Sequence, residues 1–158
     1  LGTGANAFTL TGKADRIDKL QGGGYAIIDY KSGFTPENRD VTAGLSPQLP
    51  LEGLMLEKGG FADAPADAVH DLIYWRVAGS GQNPVEKRYI TSKERGTAQL
   101  IAEAAFGLQE LITSFDDAQT PYLSQPRADA KPRYSDYDHL ARTKEWGVAG
   151  DDDAEDAA

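Results

Sequence analysis

Cysteine is absent from the sequence, which excludes disulfides, thiolate metal sites and an iron–sulfur cluster within these 158 residues. No apolar run approaches the roughly 20 residues that a membrane-spanning helix needs. The first residues also lack the pattern of a signal peptide. We therefore expect a cytoplasmic protein without a membrane partner.

Basic residues are scarce as well, with 16 Lys and Arg against 25 Asp and Glu and a formal net charge of -9 at pH 7. Nucleic-acid binding usually leaves a basic footprint, so this balance at first argues against such a partner. Five acids, however, stand close to the C-terminus: Asp151, Asp152, Asp153, Glu155 and Asp156. Without them the charge is about -4, which weakens the objection.

The length and composition are those of one globular domain, with 40% hydrophobic and 26% charged residues. Residues 1–146 are predicted to form this domain, and residues 147–158 an acidic disordered tail. The chain starts at Leu1 without an initiator Met. We expect it to be a domain excised from a larger protein.

A glycine-rich stretch, Gln21–Gly24, separates two strand-like segments and predicts the turn of a β-hairpin. The first strand is predicted over Phe8–Leu20. On the second strand alternate side chains point to opposite faces, so Asp29 and Lys31 share a face. Asp15 on the partner strand is then within reach of both.

Two carboxylates at the end of a hairpin offer oxygen ligands suited to Mg²⁺ or Mn²⁺. The backbone carbonyl of Tyr30 adds a neutral oxygen. Lys31 is placed to orient or help deprotonate a water molecule and to stabilise charge on a phosphodiester. A solvent-facing Asp/Lys pair without chemistry explains the same residues equally well, because such pairs are common on surfaces.

Further elements follow along the chain. Ser46-Pro47 predicts the start of a helix that ends near Lys58, with Gln48 in its first turn. Residues 32–44 are predicted as a polar connection, in which Arg39 is either a phosphate contact or a solvated side chain. Strands are predicted at 71–77 and 85–90. A helix opened by the capping box Thr91–Glu94 carries a wide apolar stripe that reaches Phe115.

Three motifs acquire meaning together: Gly12-x-x-Asp15-x-Ile-Asp18, Ile27-Ile-Asp29-Tyr-Lys31-Ser-Gly and Pro47-Gln48-Leu-Pro-Leu. In combination they resemble the RecB-like branch of the PD-(D/E)XK nuclease superfamily. The sequence is most similar there to the C-terminal nuclease domain of the AddB family, the second subunit of bacterial AddAB helicase-nucleases that process double-strand breaks. The resemblance extends from about Thr9 to Trp146.

This resemblance implies an α/β fold of the restriction-endonuclease-like type, with a central mixed β-sheet flanked by helices. It implies a Mg²⁺- or Mn²⁺-dependent deoxyribonuclease. Asp15 and Asp29 match the metal-binding acids, with the Tyr30 carbonyl beside them. Lys31 matches the catalytic lysine, and Gln48 the glutamine that helps to position the scissile strand.

Departures from the family pattern accompany the match. Many members carry a Tyr four residues after the motif glutamine, where this chain has Glu52. The family also takes an acid or His from a helix further upstream, whereas Leu1 stands almost directly before the first predicted strand. Some AddB proteins hold an iron–sulfur cluster through cysteines, which this sequence does not contain.

The partners implied by the resemblance are DNA, as a single strand supplied by a helicase, and an AddA-like helicase subunit. The acidic balance predicts weak DNA binding by the chain alone. Two other functions stay open from the sequence: a catalytically idle structural or DNA-end-binding module, and a divalent-cation-binding domain without a nucleic-acid role.

Overall fold

The computed structural model describes residues 7–77, 85–90 and 95–123, with only the backbone of residues 85–89. The chain divides into two compact units, Leu1–Ala118 and Gln119–Ala158. Every helix and strand described below lies in the first unit. The predicted capping box Thr91–Glu94 and the acidic tail fall outside the described residues. Within the described ranges, no helix combines the length and hydropathy needed to cross a bilayer.

A four-stranded mixed sheet forms the centre of the fold. Its strands are β1 (Arg16–Lys19), β2 (Tyr25–Lys31), β3 (Val69–Val77) and β4 (Val85–Tyr89), and they lie side by side in that order. The pairs β1–β2 and β3–β4 are antiparallel, and β2–β3 is parallel. The predicted α/β fold with a mixed sheet is therefore confirmed.

The parallel pairing of β2 and β3 requires a crossover connection, and the crossover carries two helices. They are α1 (Asn38–Thr42) and α2 (Gln48–Glu57). The predicted polar connection over residues 32–44 contains α1, a short helix that was not predicted. The side chain of Glu37 and that of Asp40 cap each other's backbone N–H groups there, which stabilises a single helical turn.

Helix α2 begins where the sequence predicted. Pro47 is its N-cap residue, and Gly59, with φ +72, follows its C-terminal end in the left-handed conformation that glycine tolerates. The helix packs closely on α3 (Thr97–Phe115), since a Cβ added to Gly53 would lie 2.7 Å from Ile101 Cδ1. This close contact fixes α2 against the rest of the domain.

Helix α3 fulfils only part of its prediction, because it begins at Thr97 with Gly96 as N-cap and not at the predicted capping box. Its buried residues are Leu100 and Ile101, near its start. Leu111 and Phe115, which belong to the same apolar stripe, are 57% and 41% exposed. The prediction that the whole stripe packs on the sheet was wrong, because only the first turns of the helix contact the core.

The first strand is much shorter than predicted. It begins at Arg16 rather than Phe8, and residues 8–12 lie instead beside α2, lining with Leu54, Met55 and Lys58 a cleft of about 570 Å³. The reason is a contact with the neighbouring strand. The Asp15 carboxylate accepts a hydrogen bond from the Tyr30 backbone N–H at 3.0 Å, so a side chain takes the place of the next rung of the ladder.

The predicted alternation along β2 is confirmed. Ile27 is fully buried in the main core, which lies between the sheet and helices α2 and α3. Ile28 belongs to a smaller cluster with Ala26 and Ile73. Asp29, two residues after Ile27, therefore emerges on the helix-covered face at the end of the strand.

The β1–β2 turn sets the register that brings this strand end into place, and Gly24 is its critical residue. Gly24 has φ +69, and an added Cβ would lie 2.6 Å from the Ala68 carbonyl oxygen. We expect Gly24→Ala to lower the free energy of unfolding by about 2 to 4 kcal/mol. Gly22, where a Cβ meets nothing within 4 Å, is the matched control, and Gly22→Ala should change it by less than about 1 kcal/mol. Urea denaturation followed by circular dichroism measures both, and equal effects would contradict the prediction.

Candidate active site

The candidate site lies where the end of β2 meets the start of α2. Asp29 and Lys31 are on the last three positions of the strand, and Gln48 is the first residue of the helix. Asp29 is only 3% exposed, because the residues of β2 just before it are buried in the core and Tyr74 of β3 lies opposite it. The crossover connection thus returns the chain to the strand end that carries the acid.

Three side chains close a ring of polar contacts at this point. Gln48 Nε2 donates to Asp29 Oδ1 at 2.6 Å, and Lys31 Nζ forms an ion pair with Asp29 Oδ2 at 2.8 Å. Lys31 Nζ also donates to Gln48 Oε1 at 3.2 Å. The sequence predicted that these three residues share a site, and the structure brings them together.

Asp15 joins the site from the neighbouring chain segment. The last registered pair of the hairpin places Arg16 opposite Ile28, so Asp15 follows at the position facing Asp29. Its carboxylate accepts the hydrogen bond from the Tyr30 N–H and therefore lies beside the peptide group that joins Asp29 to Tyr30. The predicted site residues are thus adjacent, while their chemical roles stay predictions.

Glu52 is a site residue that the sequence reasoning missed. It is 5% exposed, and its Oε1 accepts a hydrogen bond from Gln48 Nε2 at 3.1 Å. The other carboxylate oxygen, Oε2, is buried and has no hydrogen-bond partner among the described residues. A signal was available: Glu52 follows Gln48 by one helical turn and sits within the apolar run Leu51 to Leu56.

The charges of the site act on one another. Burial raises the pKa of Glu52, and the negative charges of Asp29 and Asp15 raise it further, while the Gln48 hydrogen bond and Lys31 oppose the shift. Burial, with Asp29 and Glu52 nearby, raises the pKa of Tyr74 to about 12. Tyr74 is therefore a neutral phenol beneath the site.

Lys31 is the cation of this cluster. Its Nζ lies 5.6 Å from the centre of the Tyr74 ring, in addition to its contacts with Asp29 and Gln48. It pairs with the Asp29 carboxylate and acts on the charge of Glu52, to which Asp15 adds a third nearby acid. Since the acids outnumber it, this part of the molecule favours the approach of a further cation.

The donor set fits a hard divalent cation. Asp15, Asp29 and the Tyr30 carbonyl supply oxygen atoms, which Mg²⁺ and Mn²⁺ prefer. Among the described residues, no group of three or more His, Cys, Asp and Glu side chains is arranged to hold a metal. Mg²⁺ commonly uses one or two carboxylates and completes its coordination with water and phosphate oxygens, so two acids suffice for such a site.

Two other candidates lie apart from the ring. Asp18 forms an ion pair with Arg16 at 2.7 Å, and Arg16 lies over Trp75 and donates to the Tyr30 hydroxyl. Arg39 is mostly exposed and pairs with Glu37 at 3.0 Å. The proposal that Arg39 contacts a phosphate stays a prediction.

Comparison with known proteins adds a family assignment. The model of the PD-(D/E)XK nuclease superfamily matches residues 1–132. An uncharacterized protein of Rickettsia felis is 32% identical over 92 residues, which make up 58% of this chain and 11% of that protein. Uncharacterized proteins of Rickettsia conorii and Rickettsia typhi are each 44% identical over 52 residues, or 33% of this chain and 6% of theirs.

These relatives are far longer than the chain, and the matched stretches span about a tenth of their length or less. No solved structure matches it. The two matches over 52 residues are short, so the assignment to a family rests on the family model.

The raised pKa of Glu52 has a consequence for stability. A folded-state pKa above the ordinary value of 4.5 means that the folded chain holds this proton more tightly than the unfolded chain does. Ionised Glu52 therefore lowers stability above the folded-state pKa, and this cost shrinks as the pH falls from the folded-state pKa to 4.5, below which it is absent. We expect Glu52→Gln to raise Tm by about 2 to 5 °C at pH 8, with the gain shrinking towards pH 4.

Thermal unfolding of both proteins in metal-free buffer, across that pH range, measures this difference. Other titrating groups cancel to first order because only one residue changes. A gain that grows as the pH falls would show that the sign is wrong.

Proposed function

The chain belongs to the PD-(D/E)XK nuclease superfamily, a membership that indicates nuclease activity, and we propose that it is a metal-dependent DNA exonuclease domain. The observation that carries the proposal is the ring formed by Asp29, Lys31 and Gln48, with Asp15 beside it. A buried carboxylate paired with a lysine at the open end of a strand is an arrangement suited to phosphodiester hydrolysis.

Asp15, Asp29 and the Tyr30 carbonyl are the groups that would hold Mg²⁺ or Mn²⁺. When bound, the cation supplies charge neutralisation at the phosphate and a water of lowered pKa. Asp29 is the better-fixed ligand, because its position is held by the strand, by Gln48 and by Lys31. Asp15 is held through the backbone of the neighbouring strand.

Lys31 acts as a charge-bearing donor in this proposal. Its ammonium group pairs with Asp29, donates hydrogen bonds and has no acceptor. Such a group orients the attacking water and stabilises the negative charge that develops on the phosphate oxygens. Gln48, the first residue of α2, accepts a hydrogen bond from Lys31 and helps to position the scissile strand.

The wider role follows the resemblance of the sequence. We propose a single DNA strand, fed by a helicase, as the substrate, and double-strand break processing and recombination as the setting, with an AddA-like helicase subunit as partner. The excess of acids predicts weak binding of DNA by the chain alone. The relatives are about five times longer than this chain, which leaves room for domains that bind the strand.

One observation favours a second candidate, a catalytically idle structural or DNA-end-binding module. Both oxygens of Asp29 are engaged, one by Gln48 and the other by Lys31. A ring closed in this way competes with a cation for the same carboxylate. Cleavage assays separate the two candidates.

Removal of the lysine is the sharpest test of catalysis. With linear single-stranded DNA and Mg²⁺ or Mn²⁺, we expect Lys31→Ala to reduce the cleavage rate by about 10²- to 10³-fold, the scale seen when one charge-stabilising donor is lost. Lys19→Ala, an exposed lysine of the same hairpin, should cleave like the unaltered protein. Absent cleavage by the unaltered protein, or equal rates in it and Lys31→Ala, would favour the idle module.

Metal binding is tested separately from activity. Calorimetric titration with Mn²⁺ should show binding that Asp29→Asn weakens by at least about tenfold, since even outer-shell changes cost 10- to 100-fold in metal affinity. Asp18→Asn, whose acid pairs with Arg16 outside the ring, is the matched control and should bind Mn²⁺ normally. Cleavage that survives excess EDTA, or unchanged Mn²⁺ affinity in Asp29→Asn, would contradict the proposed site.

A further inference from the structure

We infer that Glu52 is a positioning residue of this centre, whose carboxylate holds the Gln48 amide so that its oxygen faces Lys31. The effect on catalysis rests on the proposed nuclease function, whereas the positioning of Gln48 by Glu52 rests on the side-chain geometry alone. Glu52, a buried acid of the core, thus contributes to the chemistry of the site.

The Gln48 amide has two donor hydrogens and one acceptor oxygen, and the site matches each of them. Nε2 donates to Asp29 Oδ1 at 2.6 Å and to Glu52 Oε1 at 3.1 Å, while Oε1 accepts from Lys31 Nζ at 3.2 Å. The flipped amide would turn its oxygen towards two carboxylates and its NH₂ group towards an ammonium. All three contacts would then be repulsive, so the orientation is determined.

Glu52 supplies the second of the two acceptors that fix this orientation. Without it Gln48 Nε2 has only Asp29, the residue that is also proposed to hold the metal. Competition between a cation and the amide for Asp29 would then leave Gln48 free to rotate. Glu52 keeps the amide in place while Asp29 is used elsewhere.

The support is rigid because it is built into α2. Gln48 and Glu52 are one turn apart, so they lie on the same face of the helix. Leu49 and Leu56 on either side of Glu52 are fully buried, and Gly53 lies against Ile101 of α3. Because packing restricts the Glu52 carboxylate, its position determines the position of the Gln48 amide that donates to it.

Fold stability alone does not explain a glutamate here. Glu52 is 5% exposed, and its Oε2 is buried without a hydrogen-bond partner in the part of the chain that the structure describes. A buried acceptor left unpaired costs free energy, whereas an apolar side chain of similar length would fill the same space without that cost. A residue that lowers stability at a functional site is typical of a trade between stability and activity.

Two substitutions distinguish positioning from packing. Glu52→Gln keeps an oxygen that accepts from Gln48, and Glu52→Met keeps the volume but has no such oxygen. We expect kcat for DNA cleavage to fall by about tenfold to a hundredfold in Glu52→Met, the scale of a misplacement of about 1 Å, and by less than about threefold in Glu52→Gln. Tm of Glu52→Met should be equal to or higher than that of the unaltered protein.

A double-mutant cycle tests the route through Gln48. In a Gln48→Ala background, Glu52→Met should have little additional effect on kcat, because the amide that it positions is already gone. Glu110→Met, an exposed glutamate of α3, is the control and should change neither kcat nor Tm. Additive effects of Glu52→Met and Gln48→Ala, or a fall in Tm that accompanies the loss of activity, would overturn the inference in favour of a structural role.

A readout independent of activity separates this inference from the proposed function. In nuclear magnetic resonance spectra, we expect the chemical shifts of the Gln48 side-chain NH₂ group to change in Glu52→Met relative to the unaltered protein. In Glu52→Gln these chemical shifts should remain close to those of the unaltered protein. Unchanged Gln48 signals in Glu52→Met would refute the positioning role even if the protein cleaves DNA. Altered signals in a protein that cleaves no DNA would leave the geometry standing and remove the nuclease proposal.

Discussion

The hydrogen bond from Gln48 to Asp29, 2.6 Å long, joins the two elements on which the site depends. It ties the end of a central strand to the first residue of the helix that crosses over to the next strand. Lys31 adds a second tie, because its ammonium contacts both partners. Charged and amide groups half removed from water hold one another more firmly than exposed pairs do. The helix start and the strand end are therefore fixed relative to each other before any substrate binds.

This arrangement concentrates negative charge in a place where folding alone would avoid it. Asp29 and Glu52 are both almost completely buried, and Asp15 lies beside them. Lys31 compensates only part of that charge, and the apolar side chains of the core raise the pKa of Glu52 instead of stabilising its charged form. In the proposed nuclease, the same features that cost stability would favour a divalent cation and the phosphate that accompanies it. The proposed metal-dependent nuclease activity would account for both sides of this balance.

Local patterns predicted the elements whose determinants are local. The glycines between Leu20 and Tyr25 gave the correct hairpin, and Ser46-Pro47 gave the start of α2 to within two residues. Failures arose where distant contacts decide. The first strand was predicted too long, since nothing in residues 8–14 reveals that the Asp15 side chain ends the ladder. The stripe of α3 was assigned to the core although its later residues, such as Leu111, remain exposed.

For the site, the sequence by itself determined the chemical groups: two acids and a lysine around one hairpin, and a glutamine at a helix start, because spacing on a strand decides which side chains share a face. Only the tertiary structure decided that Gln48 reaches Asp29, since a parallel crossover must first bring α2 back over the sheet. It also decided the part of Glu52. In the sequence Glu52 is a glutamate among the apolar residues of a predicted helix. The packing of α2 against α3 buries it beside the Gln48 amide that it contacts.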